Sequence, residues 1–246
     1  ARTSYVTAAQ RQLVKVDTQT WESSQICQLD TDWQIIGTWK DGLVISSFIF
    51  DHELTTEELT DENAYVAAFK NSVTQYSIFY PADERREQLL ELPNTQLNTA
   101  AVHGGSLYTS TDGAGNIRRT DLESKETGVF VETNANQILE AYDDVLYCSE
   151  WGRGNASAPT SYFVRYEDGT VLSSNLVTET MGSDVVVRAE LADRFLVIYD
   201  EDATLDTAYD NGQYSVFGYK YALIAKEDFY TGKAGYEPIA MIGFGE

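Results

Sequence analysis

Apolar and polar positions alternate along this chain in short bursts. Gln12 to Val16, Gly42 to Phe50, Val185 to Leu191 and Phe195 to Tyr199 are brief and rich in β-branched or aromatic residues. Each is bounded by Gly, Asp or Asn, which is the pattern of strands. Two stretches break the rhythm. Residues 54–69 carry Thr caps followed by Glu, then Leu59, Val66 and Phe69 at near-helical spacing, and predict a helix. Residues 84–92 read equally as helix or as a strand rich in charge. Helix is a minority element, and the class is all-β.

The bursts repeat. Leu97–Ser110 and Gln137–Glu150 are each a short strand, a polar turn (His103-Gly104-Gly105; Asp143-Asp144) and a second strand carrying Leu-Tyr. The cadence recurs at Trp33–Ser46 and at Val185–Tyr199. Aligning Leu43, Leu107, Leu146 and Leu196 gives steps of 64, 39 and 50 residues. Third and fourth strands follow, as Gly115–Ser124 with Thr127–Glu132, and Ser161–Thr170 with Leu172–Thr178. Tyr219–Phe229 with Tyr236–Met241 and, at the start, Leu13–Thr18 with Ser24–Leu29 fill the same roles. Asp168-Gly169 signals a type I′ hairpin, whose two central residues need positive φ.

Four antiparallel strands recurring at such intervals are the sequence form of a β-propeller blade. The expected fold is one β-propeller domain over 1–246 with about five to six four-stranded blades. Their approximate bounds are 1–32, 33–96, 97–136, 137–184 and 185–246. The alternatives are a β-sandwich or two small β domains. The first blade lacks its innermost strand, so either a strand precedes Ala1 in the native protein or the chain is part of a longer polypeptide.

The 246 residues are 43% hydrophobic, enough for a substantial core. Lys and Arg number 17 against 39 Asp and Glu, a formal charge of −22. Such a surface opposes nucleic acid, whose phosphates need clustered cations, and adsorption to anionic lipid. No apolar run is long enough to insert in a bilayer. Cys27 and Cys148 fall on strands of different blades and are expected as buried free thiols, not a disulfide. The acidic charge, 16 Tyr and 17 Gly suit a secreted or cell-surface bacterial protein, with a cytoplasmic one as the alternative.

Residues 107–122, Leu-Tyr-Thr-Ser-Thr-Asp followed by Ile117-x-Arg119-x-x-Leu122, resemble the blade motif of low-density-lipoprotein-receptor-type propellers and their bacterial relatives of unknown function. Leu146-Tyr-Cys-Ser-Glu with Phe163-Val-Arg-Tyr is a degenerate second copy. The Trp that follows Tyr in that motif is Thr109 here and Cys148 in the second copy. The resemblance covers roughly 97–178 and implies a binding or scaffolding module.

Candidate chemistry lies in the loops. Trp151, Arg153 and Asn155 form a Gly-rich excursion that could stack on a sugar or hold a carboxylate. Trp39 and Asp51 join them as candidate ligand contacts. Asp200, Asp202 and Asp206 have oxygen spacing that calcium could use, without the Gly and closing Glu of an EF-hand loop. Solvated acidic surface is the other reading of these loops. No cofactor is called for beyond that calcium, and no catalytic residue is assigned. The function expected is a non-catalytic extracellular module that recognises a protein or carbohydrate through loops on one face. The alternative is a carbohydrate-active hydrolase using funnel carboxylates.

Overall fold

The structure is a computed structural model and describes residues 11–29, 33–94, 98–111, 116–133, 137–150, 160–206 and 213–239. Strands β1 (Arg11–Val16) and β2 (Ser23–Leu29) form a two-stranded sheet. Next come β3 (Gln34–Trp39), β4 (Gly42–Ile49), β5 (Val73–Tyr80) and β6 (Arg85–Pro93). The following sheet is β7 (Asn98–His103), β8 (Ser106–Thr111), β9 (Asn116–Asp121) and β10 (Thr127–Glu132). Then follow β11 (Gln137–Ala141), β12 (Val145–Glu150), β13 (Thr160–Arg165) and β14 (Val171–Ser173). The last sheet holds β15 (Val186–Glu190), β16 (Arg194–Asp206), β17 (Gln213–Ala225) and β18 (Glu237–Ile239). Each of these four sheets is a meander with its strands in chain order. The protein is therefore all-β with several four-stranded antiparallel sheets. The chain divides into two compact units, Ala1–Ala141 and Tyr142–Glu246.

Two kinds of turn organise the sheets. First and second strands join through two residues, as at Gly104-Gly105, where φ is +53° and +75° and the absence of Cβ makes the turn possible. Third and fourth strands join through four residues, the last of them left-handed: Glu84 (φ 54°), Lys125 (φ 62°) and Gly169 (φ 72°). The expected type I′ hairpin at Asp168-Gly169 is thus corrected. Gly169 N–H donates to Arg165 O and Arg165 N–H to Thr170 O, closing a longer loop in which only Gly169 has positive φ. The same loop joins β1 to β2, with Trp21 at φ 61° and Asp17 accepting from the Gln19 and Thr20 amides. Asp121 does likewise for Glu123 and Ser124. Locally, β1 and β2 look like a third and fourth strand.

Leu43, Leu107, Leu146 and Leu196 all lie on second strands, β4, β8, β12 and β16. Leu107 and Leu146 are fully buried; Leu43 and Leu196 are half-buried. Counted from the preceding turn, however, Phe195 and not Leu196 matches Leu107, since Leu191 N–H donates to Arg194 O and so closes that turn one residue earlier. Turn geometry sets register, and residue identity misled by one place.

The first unit packs Val44, Tyr76, Ile78, Leu107 and Leu122 into one core, with Trp39 and Val102 against it. Gly37 faces Val102 so closely that a Cβ there would lie 2.7 Å from Val102 Cβ. At the turn end, Lys40 pairs with Glu123 and Lys125 with Glu87, stitching the second and third sheets together. The second unit has an aromatic core. Phe195 lies 4.8 Å from Tyr142 and 5.3 Å from Phe229 between ring centroids, and Phe163 lies 5.0 Å from Tyr230.

Among the described residues, three short helices interrupt the strands. The predicted helix at 54–69 is two, α1 (Thr56–Thr60) and α2 (Glu62–Lys70). Asp61 ends the first with extended backbone and caps the second by accepting from the Ala64 amide. Residues 84–92 resolve as strand β6. The strand expected through Phe229 stops at Ala225, and α3 (Lys226–Tyr230) replaces the four-residue turn. The reason is burial. α3 drives Phe229 and Tyr230 into the core, while Lys226 Nζ reaches Glu190 at 2.7 Å and Tyr230 donates to Asp144 at 2.6 Å.

Candidate functional site

β16 and β17 are 13 residues each, whereas their neighbours β15 and β18 have five and three. The long pair therefore leaves the sheet as a two-stranded ribbon, and Asp200, Glu201 and Asp202 stand where it departs. A register shift between Ile198 and Asp200 makes Tyr199 a bulged residue. Successive side chains of a regular strand face opposite ways; the bulge lets Tyr199 and Asp200 line one cavity. That cavity measures about 370 Å³ and is walled by Asn175, Leu176, Val177, Glu179, Tyr199, Asp200, Ala234 and Tyr236. The Tyr199 and Tyr236 rings lie 5.0 Å apart at 31°, an aromatic wall.

The carboxylates are held from several sides. Lys220 Nζ donates to Asp200 Oδ2 at 2.7 Å, and the Thr180 amide donates to Oδ1 at 3.0 Å. The Lys220 ammonium, aided by the Thr180 amide and opposed by burial, keeps the Asp200 carboxyl well below the usual carboxylate range. Asp200 in turn raises Lys220. Thr180 is presented by the loop Thr178–Ser183, closed by Thr178 N–H to Ser183 O at 2.8 Å, with Gly182 at φ 65°. Ser183 Oγ donates to Glu201 Oε1 at 3.3 Å. Glu201 Oε2 and Tyr236 Oη are buried without a hydrogen-bond partner among the described residues. Such groups cost stability unless something satisfies them.

The sequence-predicted residues that the structure describes lie in different units, Trp39 and Asp51 in the first, Asp200 and Asp202 in the second. Asp200 lines the cavity, and Lys220 Nζ bridges it to Asp202, 2.7 Å from Asp200 Oδ2 and 3.5 Å from Asp202 Oδ1. The Asp206 side chain lies outside the described residues. Among the described residues no three Asp, Glu, His or Cys side chains gather to hold a metal. Trp151, Arg153 and Asn155 also lie outside the described residues. Trp39 is half-buried against the β7–β8 turn, its ring 2.8 Å from where a Cβ on Gly105 would be. Asp51 lies beyond the other end of β4, roughly 25 Å away at the rise of a strand. The two do not share a site. Asp51 instead accepts from His52, whose Nε2 lies 3.0 Å from Glu58. Cys27 and Cys148 are free and buried, and burial pushes the Cys148 thiol up to about 12.

Tyr199, Tyr236, Glu179, Asn175 and Lys220 were not singled out by sequence reasoning. Only one signal pointed there, the acidic spacing at 200–206. Lys220 faces Asp200 across the ladder, but that pairing depends on a 20-residue separation and on the bulge.

No family model matches the chain, and no curated protein matches it. Among solved structures, a crystal structure of TolB from Acinetobacter baumannii is similar at TM-score 0.43 and 10% identity, over 90% of this chain. The chain spans 58% of that TolB chain. Among the described residues, no helix is long and apolar enough to cross a membrane.

Proposed function

We propose that this chain is a non-catalytic carbohydrate-binding module built as a β-propeller. Consecutive four-stranded meanders with buried second strands, and the motif resemblance at 107–122, support the propeller. An extracellular or cell-surface setting suits the acidic, Tyr-rich composition. The observation that carries the binding function is the cavity bounded by the Tyr199 and Tyr236 rings, with the Asp200 carboxylate in its wall. A sugar ring presents C–H faces to aromatic planes and hydroxyls to fixed acceptors. Tyr199 and Tyr236 supply the plane, and Asp200, Glu179 and Asn175 supply polar groups. Asp200 is held as an ionised acceptor by Lys220, which lowers its basicity.

One observation favours the hydrolase reading: Glu179 and Asp200 line the same cavity. Glu179 would then be the acid and Asp200 the nucleophile or base. Calorimetric titration of the full chain with neutral oligosaccharides, beside an assay for released reducing ends, separates the readings. Binding that weakens in Tyr199→Ala and Tyr236→Ala, without cleavage, supports the module. Cleavage abolished by Glu179→Gln establishes the hydrolase instead, and unchanged binding in both tyrosine variants removes the pocket from consideration.

A further inference from the structure

The excursion between β4 and β5 has no role in the cavity, and it is an unusual piece of surface. α1 buries none of its residues and α2 only Ala68. Burial of an apolar face is what usually holds helices this short. Here local devices do it instead. Thr55 and Glu58 form a reciprocal capping box, Asp61 caps α2, and His52 ties Asp51 to Glu58.

The apolar side chains are consequently left half in water. Phe48, Phe69, Tyr65 and Phe50 form a continuous chain of ring contacts at 5.1, 6.4 and 6.2 Å. Phe48 and Tyr65 are each 39% exposed, Val66 41% and Leu59 65%. Single exposed apolar residues are ordinary, but a preformed aromatic cluster on capped helices marks an interaction surface. Lys70 closes α2 beside Phe69, but the rest of the excursion is acidic. Residues 51–62 contain six carboxylates and neither Lys nor Arg.

We propose that this helix pair docks a basic amphipathic segment of a partner protein. Leu59, Tyr65 and Val66 would receive the partner's apolar strip, and Glu53, Glu57 and Glu62 would face its flanking Lys and Arg. Charge selects this occupant. A second copy would bring the same acidic excursion, and a net charge of −22, against itself. An anionic lipid surface is repelled for the same reason.

The probe is a synthetic amphipathic Leu/Lys helix, titrated into the isotopically labelled full chain while amide shifts are followed. Saturable shifts confined to residues 48–70 are expected. Leu59→Ser with Val66→Ser should weaken binding about tenfold or more, as should Glu57→Lys with Glu62→Lys. All four positions are exposed, so an unchanged amide spectrum elsewhere verifies the fold. An equally charged Lys/Gly peptide should bind far more weakly. Equal binding of that peptide, shifts mapping elsewhere, or variants that bind as well as the parent would each overturn the proposal. So would self-association, or binding to phosphatidylserine vesicles, that the Leu59/Val66 variant abolishes.

Discussion

Two acidic stretches meet opposite fates: residues 51–62 in the connection from β4 to β5, and residues 200–202 within β16 where it leaves the sheet. Residues 51–62 form a capped helical excursion whose carboxylates face solvent around half-exposed aromatic rings. Residues 200–202 lead into a ribbon, and there Asp200 and Glu201 are buried beside Lys220, Thr180 and Ser183. In composition the two are alike. What separates them is the cross-strand partner. β17 places a lysine opposite Asp200, whereas the helices meet their own caps before any neighbouring cation. The same acid residues thus make an open, charged rim in one unit and a neutralised wall of a cavity in the other.

The strongest way to sharpen this contrast is to delete one ring from each region. Phe195→Ala, which empties a site fully enclosed by Tyr142, Phe229 and Tyr230, is expected to cost about 3–5 kcal/mol. Phe48→Ala removes a ring already 39% exposed and should cost about 1 kcal/mol. Denaturant midpoints measure both, and equal losses would erase the distinction between closed and open aromatic clusters.

Smaller effects come from the acids. Asp200→Asn leaves Lys220 without its carboxylate and should cost about 1.5–3 kcal/mol in the same assay. Asp51→Asn should leave the midpoint nearly unchanged, because its partner His52 is exposed. If the order of the two reverses, the neutralised-wall description fails.

The smallest effect is one of sign. Asp200 has a depressed folded pKa, so its contribution is present above the ordinary aspartate value of about 3.9 and fades as pH falls through the lower folded value. His52 is raised, first by the Asp51 hydrogen bond and then by Glu58. Its clasp is fully present below about pH 6.5 and is lost as pH rises through the folded value. Proton NMR titration of the His52 ring should give a midpoint above the ordinary histidine value, and Asp51→Asn should lower it. A His52 midpoint at or below the ordinary value would show that the clasp does not form in solution.

Much of this architecture is written locally. Period-two alternation at Gly42–Phe50 and Val185–Leu191, with turn residues such as Gly104-Gly105, determines strands and their antiparallel succession. Those signals act over a few residues and need no distant partner. The Thr caps and following Glu mark a helix start in the same way, but the single helix expected over 54–69 misses the break at Asp61. Tertiary structure decided the rest. Whether residues 226–230 continue a strand or coil into α3 depended on an aromatic core that Phe229 and Tyr230 could fill. Whether Leu196 or Phe195 matches Leu107 depended on where the preceding turn closed. That Asp200 faces Lys220 depended on a bulge at Tyr199 and a strand 20 residues away. Backbone conformation answers to neighbours in sequence, but a buried charge answers to whatever the fold brings within hydrogen-bond reach.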